Sequence, residues 1–428
     1  MEVRPYWYLD RPERQVILDE LPERVDVAVV GGGFTGLATA LHLARAGRSV
    51  AVLDAEHPGF GCSGRNGGMV GPSFHKLGLE GLIGRYGRDK AHAILREGMQ
   101  ALEYFREFVE TENLQCDLQW TGRFRGAFSA RDYDSLNREA EQLQRAVGLE
   151  FSPVSRDQQY REIGSDFYHG GVVYHRDGGI HPGKLVDGLV ARVRSTGGLV
   201  VAPARVLDWR RESDGWWLDS AAGTVQAREV VVATNGYTNS VFPKFRRRLV
   251  PIVSAMVATA PLDPALVSRL SPGKRMHGDT RRLVLYYRPS PDGTRMLFGT
   301  RAQGSLSEPG RIAEHIRALY GELYPELREV PVDYYWWGWV AYTFDHAPHL
   351  GSLDGMHHAM GYCGSGVTRS IYLGRQLARK ILGEPGHQTA FDDLPFETRP
   401  LYRGKPWGLG LVMQWHALKD FLARRKVA

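Results

Sequence analysis

VDVAVVGGGFTGLATALHLARAGRSVAVLDAEHPGFGCSGRNGGMV, residues 25–70, reads as a strand–turn–helix–strand unit built to hold a dinucleotide. Residues 25–30 are a short apolar run of the kind a buried parallel strand needs, and the run stops at three consecutive glycines. Gly31 permits the tight turn, Gly33 lets backbone approach a pyrophosphate, and Gly36 lets the helix lie close on the sheet. Unpaired N–H groups near Phe34 and Thr35, at the positive end of that helix, are expected to face phosphates. Asp54 follows the second strand, residues 49–53, where a carboxylate can accept hydrogen bonds from ribose hydroxyls. Glycines alone would suit many loops. The preceding strand, the following helix and the acid at this spacing make the motif specific.

At 428 residues, 43% hydrophobic and 24% charged, the chain can bury a large core and exceeds the usual size of one domain. Its net charge of +6 is spread along the sequence without an aromatic-interleaved basic motif, which favours small anionic substrates over nucleic acid. Cys62, Cys116 and Cys363 are odd in number and lack metal-ligand spacing, so no metal is expected and the composition points to a reduced, cytoplasmic protein. No apolar run approaches the ~20 residues that span a bilayer.

Helical spacing of apolar residues predicts amphipathic helices over 90–112 and 133–147, with a strand over 118–130 between them. Pro182 sits in the first turn of a helix that Gly198 stops. Residues 199–234 read as short strands, the last of which breaks at Thr234-Asn235-Gly236 and suggests a second approach to the same cofactor. Strands at 249–259, 282–287 and 294–300 and a helix at 311–320 read as a different, substrate-facing unit. Residues 336–383 then repeat the strand, glycine-turn, helix order of the opening motif, with Gly364-Ser365-Gly366 opening the helix.

Four motifs together resemble the glycine/D-amino-acid oxidase (DAO) family of flavoenzymes, most closely its gamma-glutamylputrescine oxidoreductase branch. They are GGGFTGL at 31–37, GCSGRNGG ending at Gly68, VVATNGY at 231–237 and GYCGSGVT at 361–368. The resemblance covers nearly the whole chain. It implies an α/β (α+β) fold in which a glutathione-reductase-type, Rossmann-like FAD-binding domain is interleaved with a substrate domain built on a large mixed β-sheet. The expected segments are 22–90, 151–248 (with some substrate-sheet strands) and 336–385 for the FAD domain, 91–150 and 249–335 for the substrate domain, and a C-terminal extension at 386–428. It also implies cofactor contacts beyond Gly31, Gly33, Phe34, Thr35, Gly36 and Asp54. These are Ala55, Ser63, Arg65, Asn66, Gly67 and Gly68 in the first segment, Val206, Ala233, Thr234 and Asn235 in the second, and Gly364, Ser365, Gly366, Val367 and Thr368 in the third.

The reaction implied is oxidation of a C–N bond by hydride transfer to flavin, with the imine then hydrolysed. That chemistry needs a positive environment for the reduced ring, which a helix opening at 364–366 supplies, and no strong general base. The sequence accordingly shows no hydrolytic triad or catalytic carboxylate pair, and the active-site candidates are Arg65, His75, Tyr286, Trp337 and His346. Trp336, Trp337, Trp339, Tyr342 and Tyr286 are read as an aromatic wall, with core packing as the plainer alternative for most of them. Sarcosine-type members carry a lysine where this chain has Thr368, so the expected substrate is a small amine that is a polyamine derivative, an aminophosphonate or amino-acid-like, with sarcosine, another N-methyl amino acid or a D-amino acid as the alternative. Nicotinamide-dependent dehydrogenation and tRNA modification rank lower. The cysteine that tethers flavin in sarcosine oxidases is replaced by Val340, so noncovalent FAD is expected. Oxygen, a quinone or another carrier suits as electron acceptor, the strand around 297–301 offering arginine but no lysine, and the oligomeric state stays open. Residues 406–425 read as an amphipathic helix with a basic end, packed on the body, on a partner subunit or on a membrane surface.

Overall fold

The computed structural model describes residues 1–9, 19–74, 76–302, 306–406 and 408–425, and two large sheets carry its fold. The parallel centre of the eight-stranded sheet places Leu199–Val201, Val50–Leu53, Arg24–Val30, Gly223–Val232 and Met356–Met360 side by side. The apolar runs of the opening motif lie in the middle of it. They are covered on both faces, which is why they are continuous rather than alternating. The opening helix, Phe34–Arg45, buries Leu37, Leu41 and Leu43 completely, a gain of ~1.5–3 kcal/mol for each.

The nine-stranded sheet runs in the order Glu2–Val3, Val332–Tyr342, Val250–Thr259, Met296–Arg301, Tyr286–Pro289, Met276–Asp279, Arg123–Gly126, Gly171–Tyr174, Phe151–Val154. It is mixed: the pairings of 2–3 with 334–335 and of 123–126 with 276–279 are parallel, the others antiparallel. The chain thus crosses repeatedly between the two sheets. Val332–Tyr342 runs through position 336, where the sequence reading begins the last FAD segment, because it pairs with Val250–Thr259 along its whole length. The strand expected over 118–130 is only Arg123–Gly126. Ser129 ends it by accepting a hydrogen bond at Oγ from the Asp132 N–H (3.1 Å), which caps the helix Ala130–Val147.

A helix at Pro309–Leu323 seals the outer face of this sheet, and its Tyr320 stacks on Phe298 at 4.3 Å. The inner face looks toward the eight-stranded sheet. Between them lies a cavity of about 670 Å³.

Two histidines sit in stacked, water-poor positions: His277 against Tyr287 at 4.8 Å and His358 against Phe396 at 5.3 Å. Burial pushes each down to about 3 from an ordinary 6.5. The unfolded chain therefore takes up protons below pH 6.5 that the folded chain refuses. The stabilisation is complete above that value and is lost at up to ~1.4 kcal/mol per pH unit for each histidine as pH falls. Calorimetry between pH 6.5 and 4.5 is expected to show a steadily falling melting temperature, with a shallower slope in His277→Phe.

Candidate functional site

Three distant stretches of chain meet at the cavity, and each meeting is a specific contact. A Cβ built on Gly31 would lie 3.0 Å from the Ala233 carbonyl, so the first glycine turn rests on the end of the strand Gly223–Val232. Asn235 accepts the Gly361 N–H at Oδ1 (2.9 Å), and Thr35 shares a hydrogen bond with the Tyr362 hydroxyl (2.7 Å). The closing helix, Val367–Leu382, then packs on the opening helix at Gly374, where a Cβ would lie 2.8 Å from the Thr35 carbonyl and 2.9 Å from the Ala38 methyl. Thr39 Oγ1 donates to the Gly374 carbonyl at 3.0 Å. Both helices present their N-terminal turns to the same space.

All the predicted cofactor contacts line this cavity except Gly36, Gly68 and Thr368. Those three act in packing. A Cβ on Gly36 would fall 2.0 Å from the Gly31 carbonyl, and one on Gly68 2.2 Å from that of Ile180, while Thr368 Oγ1 donates to the Gly71 carbonyl at 2.9 Å. Phe34 offers less than expected because its N–H donates to Ser63 Oγ (2.9 Å). Asp54 accepts from the N–H groups of Gly32 (2.7 Å) and Glu56 (3.0 Å); burial pushes its carboxyl up against those two donors. Each oxygen keeps a lone pair for a ribose.

The loop at 65–68 is held from the far sheet. Trp336 donates its Nε1–H to the Arg65 carbonyl and Trp7 to that of Asn66, each at 2.8 Å, and buried Arg288 donates to the Gly68 carbonyl at 3.2 Å. Asn66 is spent on its own loop, donating to the carbonyls of Cys62 and Ser63 and accepting from the Gly68 N–H. Arg65 donates Nε to the Phe60 carbonyl (2.6 Å) and Nη1 to that of Trp337 (3.1 Å). Cys62 donates its thiol to the Trp339 carbonyl, and burial pushes it up to about 12; Cys363 is raised likewise. Both stay protonated, which suits packing rather than attachment.

The pleat of the nine-stranded sheet corrects the aromatic wall. Tyr334, Trp336, Gly338, Val340 and Tyr342 face inward, whereas Trp337 packs with the outer core; Trp339, edge-to-face with Trp337, still lines the cavity along with Tyr342. Trp336 is buried under the 65–68 loop, and the ring of Tyr342 already carries Arg301 at 5.6 Å. Tyr286 stays on the cavity, its ring 3.2 Å from a Cβ placed on Gly67 and its hydroxyl 2.9 Å from Ser254 Oγ. His346 lies behind Tyr342, edge-on at 5.9 Å, away from the cavity wall. His75 falls outside the described residues.

Sequence reasoning missed Ser254, Lys76, Arg123 and Arg125, all of which line the cavity. The two arginines were legible in principle: Arg123-Phe124-Arg125 alternates, and Phe124 is fully buried on the opposite face.

The DAO family, described as FAD dependent oxidoreductase, matches residues 26–380. Gamma-glutamylputrescine oxidoreductase of Escherichia coli (strain K12) is 31% identical over 393 residues, 91% of each chain. Probable oxidoreductase OrdL of Rhizobium meliloti (strain 1021) is 30% identical over 421 residues, 97% of each. Glycine oxidase from Geobacillus kaustophilus shares the fold, with a TM-score of 0.72 at 22% identity over 89% of this chain and 99% of that one.

FAD fits what is present. Glycines keep side chains out of the cavity where backbone must approach phosphates, two helix N-termini converge on it, and Asp54 stands at the end of the second strand. Because a methyl at Gly36 would strike backbone, Gly36→Ala is expected to yield protein largely without bound flavin, read as lost yellow absorbance. Gly84→Ala, in open space on the helix Gly78–Tyr86, is expected to keep full flavin and to gain ~0.5–1 kcal/mol of stability.

Proposed function

This chain belongs to the DAO family of FAD-dependent oxidoreductases, and from that premise we propose that it oxidises the C–N bond of a small primary or secondary amine. When bound, FAD supplies a ring that takes a hydride from the carbon next to nitrogen. The observation that carries the reading is the set of cavity walls that would face such a ring: the turn Gly364–Gly366 with its helix on one side, and Tyr286, Ser254 and Arg301 on the other.

Each part has a task that needs no acid–base residue. The N–H groups and dipole of the closing helix would stabilise negative charge gathering at Gly364–Gly366, and the Arg301 Nη2 closes that corner of the cavity, 2.6 Å from a Cβ placed on Gly364. Arg301 is held by Ser254 Oγ and the Tyr342 hydroxyl, both at 2.9 Å. Tyr286 and the inward face of the sheet exclude water. Thr368 spends its hydroxyl on Gly71, so a plain α-amino acid finds no cation there.

Two further assignments belong to this reading. The thiols of Cys62, Cys116 and Cys363 are all free, which supports a cytoplasmic location, and among the described residues no helix is long and apolar enough to cross a membrane. The reduced enzyme passes its electrons to oxygen or to another carrier.

Anaerobic mixing of the purified holoenzyme with polyamines, gamma-glutamyl amines, aminophosphonates and N-methyl amino acids is expected to bleach the flavin with at least one amine. Bleaching by hydroxyacids or thiols alone overturns the proposal. Return of the colour on admitting air assigns oxygen as the acceptor.

A further inference from the structure

The inner face of the nine-stranded sheet carries more positive charge than the cavity's acids offset. Arg123 and Arg125 project from one strand and Arg301 from another, and Lys76 reaches in from beyond the first glycine loop. Asp177 faces Arg123 at 3.0 Å and Glu139 faces Arg125 at 3.2 Å. Asp279 and Arg281 are closed on each other. Among the described residues neither Lys76 nor Arg301 has a carboxylate partner; the two side-chain hydrogen bonds of Arg301 go to neutral hydroxyls.

Lys76 is an exposed side chain that lines the cavity, and partial desolvation there, followed by the charge of the nearby Arg301, pushes it down to about 8, with Arg125 and Arg123 adding to the effect. Surplus like charge in a confined space is costly until an anion joins it. Nor is the charge confined to the Gly364 turn. The strand bearing Arg123 and Arg125 lies three places from the strand bearing Arg301, a distance of ~14 Å at ~4.8 Å per strand.

We propose that this end of the cavity is an anion subsite, formed chiefly by Lys76 and Arg301 with Arg125 and Arg123 beyond them, that selects amines bearing a carboxylate or phosphonate separated from the oxidised C–N bond. The inference rests on the amine reading above and narrows it: a simple diamine, cationic at both ends, is repelled, and an amine carrying a remote anion is drawn in.

The test uses holoenzyme and four probes of equal chain length: an ω-amino acid, an ω-aminoalkylphosphonate, a neutral-tailed alkylamine and a diamine. At least one anionic probe is expected to exceed both others in kcat/KM by about ten-fold or more, and the two anions tell carboxylate from phosphonate. In Lys76→Met that preference is expected to shrink by about ten-fold, and in Lys76→Arg to return. Independently, titration of the oxidised holoenzyme with glutarate, which has no amine, is expected to perturb the flavin spectrum at saturable concentrations and to weaken about ten-fold in Lys76→Met. Equal turnover of anionic and neutral-tailed amines, or no glutarate binding, overturns the subsite and leaves amine oxidation standing. Glutarate binding with no amine turned over overturns the amine reading and leaves the subsite.

Discussion

Two helices touch at a residue without a side chain, and the site depends on that contact. Gly374 lets the closing helix come so near the opening helix that the Thr35 carbonyl and the Ala38 methyl occupy the space of a Cβ. Thr39 and Tyr362 bridge the same seam with hydrogen bonds to the Gly374 carbonyl and the Thr35 hydroxyl. Residues more than three hundred positions apart in sequence are thereby locked in register. Two positive helix ends are aimed into one cavity, which is how a chain with few acid–base candidates builds an electrostatic site: the field comes from backbone held in place rather than from titrating side chains.

The nine-stranded sheet supplies the opposite wall, and its pleat decides which side chains meet the substrate. One face of the strand Val332–Tyr342 gives the cavity Gly338, Val340 and Tyr342; the other gives the outer core Tyr335 and Trp337. The same alternation hides Phe124 and presents Arg123 and Arg125. Neighbouring residues therefore serve different ends: Trp336 pins the Arg65 carbonyl from within, while Trp337 only fills the far side.

How much of this is legible in the sequence follows from the range of the forces involved. The glycine turn, its flanking strands and Asp54 are local, and they stand where the motif places them because steric limits on backbone act within a few residues. Asn66 and Arg65 lie in the expected loop, but their side chains satisfy carbonyls around them, a detail set by the packing of Trp7, Trp336 and Phe60 and invisible to a motif. The strand expected over 118–130 gave way to a serine cap, and the end of the substrate unit expected at 335 gave way to strand pairing that continues through Tyr342. Lys76 carries no sequence signal at all. Its company of Arg301, Arg123 and Arg125 exists only once three elements of the chain are assembled.

Trp7 ties the order of synthesis to the completion of the site. Its indole supports the Asn66 carbonyl and packs edge-on to Trp336, while Glu2 and Val3 pair with Tyr334 and Tyr335. Glu2 and Val3 thus wait for strand partners made more than three hundred residues after them. Until then the loop below them lacks its peg, so the berth for the prosthetic group is finished only when those distant stretches have met.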